Sequence, residues 1–311
     1  MLKLAAIVGP TGVGKSRIAV DVARELNGEI ISCDSMQIYR GLNIGTAKIT
    51  EGEMKGVPHY GIDIVGPEES YSVSDYQKMA RDLIEEINGR GRLPILVGGT
   101  GLYYQAVVDD YQLLPIETDY DLRDRLNKEA ENLGNEIMHE RLQAIDPAAA
   151  GKISPNDRKR IVRALEVIEK TGRTFSSLQQ RQSGRYRLAA EGLNMPREQL
   201  YLRLESRVDK MVTEGLIDEV KEILRKGLGR ELNSMKALGY VQIIKFLDGE
   251  QSLEDSILDI KRDTRRYAKR QLTWFRRDDR IKWWDLTDYT EEKITGKICE
   301  HISRTIESDV E

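Results

Sequence analysis

The octapeptide Gly9-Pro10-Thr11-Gly12-Val13-Gly14-Lys15-Ser16 constrains this chain more than any other stretch. It follows an apolar run at residues 4–8 and opens a segment that places Ile18, Ala19, Val22 and Ala23 on one side of a helix. Strand, glycine loop and helix in that order are the setting in which G-x-x-x-x-G-K-[ST] binds phosphate. The glycines let consecutive backbone N–H groups turn inward, and the helix N-terminus adds partial positive charge at the same point. Lys15 supplies a mobile cation for an outer phosphate, and the Ser16 hydroxyl is placed to ligate Mg²⁺. The chain therefore grips a phosphate or a diphosphate, and the loop alone does not say which molecule carries it.

Further strands are expected at residues 29–33, 60–65 and 93–97, with a helix over 74–88. Strands alternating with helices at this spacing predict an α/β fold with a doubly wound parallel sheet. Ligands of such sheets sit beyond the carboxyl ends of the strands. Three of those ends carry polar groups: the glycine loop, Asp34 and Thr100.

The character changes near residue 112. Residues 113–183 read as an all-helical insertion, with helices at 119–133, 135–145 and 157–170, and residues 1–112 with 184–311 as the phosphate-binding core. Strands are expected again at 186–193 and 280–286, and the region from 197 is helical, with Arg203 and Arg207 four residues apart. Residues 157–187 hold nine Lys and Arg against three Asp and Glu; residues 261–282 hold ten against three, interleaved with Tyr267, Trp274 and Phe275. In a chain of net charge −4, two such basic stretches are the footprint of a nucleic-acid backbone, with rings for base stacking.

Several classes are disfavoured. Cys33 and Cys299 form no disulfide or metal pattern, and His59, His139 and His301 form no zinc or triad constellation. The longest uncharged run, residues 93–108, is broken by three glycines and a proline and is too short to span a membrane. The apolar start is too short for a secretory leader, so a cytoplasmic location is expected. Residues 93–97 lack the acid that a motor-type ATPase needs to hold Mg²⁺ and position water.

Asp34 has three readings: general base, Mg²⁺ partner, or acceptor in an Asx turn. Ser35 and Gln37 beside it can read a base edge, since a glutamine amide both donates to and accepts from adenine. Thr100, between glycines before a helical run, reads as an N-cap or as a hydroxyl aimed at the reacting centre. These residues fit a small-molecule kinase with ATP in the loop, a transferase whose loop grips a diphosphate leaving group while an RNA base attacks carbon, or an ATP-switched nucleic-acid binder.

Five segments, GPTGVGKS, CDSMQIYRGLNIGTAK, LVGGTGLY, SPNDRKRIVRALEV and DTRRYAKRQLTWFR, in this order and spacing, resemble the bacterial tRNA dimethylallyltransferases of the IPP transferase family, over residues 4–284. That resemblance implies transfer of a dimethylallyl group from dimethylallyl diphosphate to the exocyclic N6 amine of the adenosine 3′ of the anticodon in tRNA. It implies that Gly9–Ser16 hold the diphosphate, Ser16 with Mg²⁺, and that Asp34 is the general base. Asp34, Ser35, Met36 and Gln37 would contact the target nucleotide, and Lys15, Thr100 and Arg207 the reacting diphosphate. Arg123, Lys159, Arg160, Arg163, Arg262, Arg266 and Arg270 would touch the tRNA, whose anticodon stem-loop the insertion would grip. A monomer is expected.

Overall fold

The computed structural model describes residues 1–113, 119–178 and 184–307. In chain order these form β1 (Leu2–Val8), α1 (Lys15–Glu25), β2 (Gly28–Cys33), the single turn α2 (Glu51–Met54), β3 (His59–Tyr60), α3 (Val73–Gly89), β4 (Leu93–Gly98) and α4 (Gly101–Val108). Then come α5 (Tyr120–Leu133), α6 (Asn135–Ile145), α7 (Pro147–Ala150) and α8 (Arg158–Thr171). The chain closes with β5 (Tyr186–Asn194), α9 (Arg197–Thr213), α10 (Leu216–Arg225), α11 (Tyr240–Leu247), α12 (Leu253–Phe275), β6 (Ile281–Asp285) and α13 (Glu291–Glu307). Residues Met1–Val108 and Gly184–Glu311 make one compact unit and Asp109–Ser183 another.

The first unit is built on a six-stranded sheet of order β3-β2-β4-β1-β5-β6, parallel at every pairing. A parallel sheet covered by helices on both faces demands apolar residues at every position of its inner strands. β1 meets that demand from Leu4 to Val8, and its side chains divide by parity: Ala5 and Ile7 pack on one face with Ile18, Val22 and Ile298 of α1 and α13. Leu4, Ala6 and Val8 pack on the other with Tyr76, Ile84, Tyr104 and Phe275 of α3, α4 and α12. β1 lies between β4 and β5, so the loop leaving Val8 emerges at the middle of the carboxyl edge.

One strand is shorter than expected. The extended run anticipated over 60–65 pairs with β2 only at His59 and Tyr60. Gly61 then takes φ +75° and Asp63 φ +55°, left-handed conformations that cannot continue a ladder. The chain turns there and regains a single parallel bridge, Tyr39 to Val65. This fold back seats Ile38, Tyr39 and Leu42 on α9, α10 and α11, in a third apolar cluster with Val208, Leu216 and Tyr240.

The second unit's described residues form helices and connecting turns and no strand, with Leu126, Met138, Leu142, Ile161 and Leu165 at its core. Its helix starts follow from local chemistry: Asp119 caps α5 through the Leu122 N–H, and Asp157 caps α8 through the Arg160 N–H. α8 stops at Gly172, whose left-handed φ of +66° lets its N–H reach back to Ile168. Of the basic excess counted over 157–187, Arg181 lies outside the described residues, as do 114–118 and 179–183 of the expected insertion.

Candidate active site

The glycine loop is shaped by two close approaches. Gly9 adopts φ +142°, and a Cβ there would lie 2.5 Å from the carbonyl oxygen of Leu193 at the end of β5. Gly12 adopts φ +77°, and a Cβ there would lie 2.5 Å from Leu204 on α9. Side chains at either position would push the loop away from the elements that fix it. Gly14 follows as the left-handed N-cap of α1, so the helix amides open toward the loop. Ser16 is exposed in the first turn.

Lys15 curls back, its Nζ donating to the Pro10 carbonyl at 2.8 Å. Burial lowers its pKa to about 8, with the Asp34 carboxylate opposing that shift and the Arg207 guanidinium adding to it. Burial likewise lowers the pKa of Arg207, again against the pull of Asp34. Two cations and one carboxylate thus converge at the carboxyl edge in a poorly solvated place, where an incoming polyanion gains most from them.

Asp34 begins the loop after β2. Its Oδ1 accepts the Met36 N–H at 2.9 Å, so the Asx-turn reading is realised, and the same carboxylate lines a cavity. Thr100, after β4, joins the two strand ends: its N–H donates to the Cys33 carbonyl at 3.1 Å and its Oγ1 accepts the Ser35 N–H at 3.0 Å. The N-cap reading holds for its backbone, whose carbonyl receives the Tyr104 N–H, while the hydroxyl turns toward Ser35. The strand ends can meet this closely because a Cβ on Gly98 would stand 2.1 Å from the Cys33 oxygen.

The cavity, of about 500 Å³, is lined by Thr11, Asp34, Ser35 and Met36 and by Arg207, Arg266, Tyr267 and Arg270. That size suits a nucleoside-scale ligand. Among the expected site residues it gathers Thr11, Asp34, Ser35, Met36, Arg207, Arg266 and Arg270. Gln37 is not in its wall: its Oε1 accepts from Ser32 Oγ at 3.1 Å and its Nε2 faces the Thr46 carbonyl at 3.4 Å. Arg262 stands exposed on α12, paired with Asp259 at 2.6 Å and Asp263 at 3.2 Å. Arg203, one turn before Arg207 on α9, is exposed and absent from the cavity wall.

The remaining basic residues lie in the second unit. Lys159 and Arg160 are exposed at the start of α8. Arg123 and Arg163 instead grip one fully buried carboxylate: Arg123 Nη2 lies 2.8 Å from Glu166 Oε2 and Arg163 Nη1 2.9 Å from Glu166 Oε1. The Asp119 N–H adds a third hydrogen bond at 3.1 Å. Burial alone would raise the Glu166 pKa, but these bonds outweigh it and hold the carboxyl below its ordinary value. Both arginines therefore have a structural task whatever else they touch.

Two side chains, Gln271 and Glu219, were not singled out in the sequence, and Tyr267, expected there only as a stacking ring, has a further place. Gln271 of α12 accepts the Thr11 N–H at 2.8 Å and donates to the Gly99 carbonyl at 2.9 Å. Tyr267, one turn earlier on the same helix, has its pKa raised by burial and then by the charge of Asp34, and its hydroxyl lies by Thr100 and Gln271. Polar Asp263, Tyr267 and Gln271 at intervals of four were the available signal, masked by the arginines around them. Glu219 of α10 accepts the N–H groups of Asn43, Ile44 and Gly45 at 2.9, 2.8 and 3.1 Å and the Tyr240 hydroxyl at 2.5 Å. Nothing local marks it, because its loop partners stand 174 to 176 residues away.

Among the described residues no three His, Cys, Asp or Glu side chains converge as a metal cage. Ser16 at the loop fits Mg²⁺, which needs few protein ligands when phosphate oxygens and water complete its octahedron. Nor, among the described residues, is any helix long and apolar enough to cross a membrane.

A parallel α/β sheet with a phosphate loop at the end of β1, an acid at the end of β2 and a helical insertion defines a P-loop group-transfer protein. The family model described as IPP transferase matches residues 37–278, and one described as isopentenyl transferase matches residues 2–64. The chain belongs to the IPP transferase family. It is 54% identical over 300 residues to a tRNA dimethylallyltransferase of Syntrophomonas wolfei, a match spanning 96% of this chain and 97% of the relative. The full-length tRNA isopentenylpyrophosphate transferase of Bacillus halodurans superposes with a TM-score of 0.76 at 48% identity, covering 99% of this chain and 97% of its own. A eukaryotic dimethylallyltransferase described as acting on tRNA gives a TM-score of 0.73 at 29% identity, over 92% of this chain and 74% of that one.

Proposed function

We propose that the protein transfers a dimethylallyl group from dimethylallyl diphosphate to the exocyclic N6 amine of the adenosine 3′ of the anticodon in tRNA. The observation that carries this reading is the shared cavity: Asp34, at the end of β2, and Thr11, of the phosphate loop, line the same space as Arg207, Arg266 and Arg270.

The glycine loop, Lys15 and Arg207 hold the diphosphate. The N6 lone pair forms a bond to C1 of the dimethylallyl group as the C1–O bond breaks, and its electron pair leaves with diphosphate. The N6 proton passes to Asp34. An adenine amine is a weak nucleophile, so the barrier falls mainly by stabilising the leaving anion, which Lys15 and Arg207 do from a poorly solvated position. Ser16 would hold Mg²⁺, which supplies further charge neutralisation to the diphosphate. Asp34 accepts its proton while its other interaction, the Met36 N–H, fixes the carboxylate plane.

The target base is splayed out of its loop to enter the cavity, where Met36 and Tyr267 offer surfaces for its ring. Lys159 and Arg160, exposed in the second unit, engage the phosphate backbone of the anticodon stem-loop, and Arg266 and Arg270 that of the target strand. The protein works as a cytoplasmic monomer.

The test is Asp34→Asn, which keeps the acceptor for the Met36 N–H but loses the base. Binding of tRNA and of dimethylallyl diphosphate is expected to persist while turnover falls at least about a hundredfold. Turnover within a few-fold of the parent would remove Asp34 from the reaction.

A further inference from the structure

Gln271 is 5% exposed on α12, and its amide, which also lies by the Tyr267 hydroxyl, bridges two separate loops. Its oxygen takes the N–H of Thr11, inside the phosphate loop after β1, and its Nε2 gives a hydrogen to the carbonyl of Gly99, in the loop after β4. The fit is tight, since a Cβ on Gly99 would stand 2.1 Å from Nε2. The next residue, Thr100, accepts the Ser35 N–H, and Ser35 follows Asp34. Hydrogen bonds at Thr11–Gln271–Gly99 and at Thr100–Ser35, joined by the peptide links Gly99–Thr100 and Ser35–Asp34, thus connect the diphosphate grip to the residue that bears the carboxylate. An apolar side chain of equal volume would fill the same space but leave the Thr11 N–H and the Gly99 carbonyl without this partner. What an amide adds is a donor and an acceptor at a fixed separation.

We propose that Gln271 is a positioning residue that sets the distance between the departing diphosphate and the proton-accepting Asp34. It touches neither substrate and acts through Thr11 and Thr100. The inference rests on the transferase reading above. Loops held only by packing would let the two groups drift, and misplacement by an ångström costs about a hundredfold in rate.

The test uses Gln271→Glu and Gln271→Met, each checked by thermal melting to be folded at the assay temperature. With saturating tRNA and dimethylallyl diphosphate, single-turnover rates are read from about pH 6 to pH 8.5. In Gln271→Glu the ionised side chain keeps the acceptor for Thr11 but sets a carboxylate against the Gly99 carbonyl; once protonated it regains a donor. Gln271→Glu is therefore expected to be slower than the parent by about tenfold or more at pH 8, with the variant-to-parent ratio recovering as pH falls. Gln271→Met is expected to be slow by a similar factor at every pH, with the tRNA dissociation constant unchanged. Should Gln271→Glu fail to fold, the Met variant alone decides.

A purely structural glutamine would lower the melting temperature and leave the single-turnover rate of the folded variants untouched. That result, or a Glu variant whose deficit is the same at all pH values, would overturn the proposal. Absence of transfer by the parent protein would instead overturn the transferase reading.

Discussion

Thr100 accepts the backbone N–H of Ser35 at 3.0 Å, and so fastens the residue beside the proposed base to the loop after β4. Thr100→Ser preserves that acceptor and Thr100→Ala removes it. The alanine variant is expected to lose about tenfold or more in turnover and about 1 kcal/mol in stability, with the serine variant near the parent in both. Initial rates and urea melts of the pair decide it. Equal rates for the two variants would show that the hydroxyl does not contribute to turnover.

The Glu219 carboxylate gathers three consecutive amides of the 43–45 loop, whose Gly45 and the following Thr46 line the cavity. In Glu219→Gln one acceptor oxygen becomes an NH₂ group facing N–H donors. A loss of about 3 kcal/mol is expected, together with faster hydrogen exchange at residues 43–45 and a raised KM for tRNA. Unchanged exchange in that loop would show that packing of Tyr240 against Gly45 suffices to hold it.

Lys15 has its pKa lowered to about 8, chiefly by burial. Binding a diphosphate favours the charged amine, so above this pH the protein takes up a proton on binding and below it does not. The KM for dimethylallyl diphosphate is therefore expected to be flat below about pH 8 and to rise above it. Lys15→Arg, charged throughout, flattens the upper limb. A KM independent of pH up to about 9.5 in the parent, well past the lysine's lowered pKa, would contradict this assignment.

Glu166 is ionised and paired with Arg123 and Arg163, its folded pKa lying below the ordinary 4.5. A depressed carboxylate pKa stabilises the folded state fully above the unfolded value, and that contribution is lost as pH falls through the folded one. The second unit is expected to loosen in acid below pH 4.5, and Glu166→Gln to be destabilised at neutral pH but with a shallower acid dependence. Hydrogen exchange of α5 and α8 against pH reads this directly.

Charge reversal at Lys159 and Arg160 tests the nucleic-acid face without disturbing that buried cluster. Affinity for tRNA is expected to fall, and the slope of log K against log salt to become shallower by about one for each phosphate no longer neutralised. An unaltered slope would mean that the start of α8 meets only solvent.

Much of the core was legible because parallel strands buried on both faces must be apolar throughout, and β1, β2 and β4 are largely so. The phosphate loop and Asp34 were legible because each follows such a strand. The stop at Gly61 was harder to see, since Ile64 and Val65 look like strand continuation until the left-handed Gly61 and Asp63 are known. Gln271 and Glu219 were invisible for another reason. Their partners lie 260 and 174 to 176 residues away, and no local pattern encodes a pairing at that range. The pairing of Arg123 and Arg163 with Glu166 shows the same limit: charge counts alone do not separate an arginine bound to a buried carboxylate from one turned toward phosphate.

The most direct measurement is the mass of the nucleosides recovered after incubating the purified protein with dimethylallyl diphosphate, Mg²⁺ and unmodified tRNA. One adenosine carrying an added dimethylallyl group, at the position 3′ of the anticodon, is the predicted product, and Lys15→Ala is predicted to yield none. Unmodified adenosine from the parent protein, with ATP consumed in the presence of a small-molecule acceptor, would contradict the account.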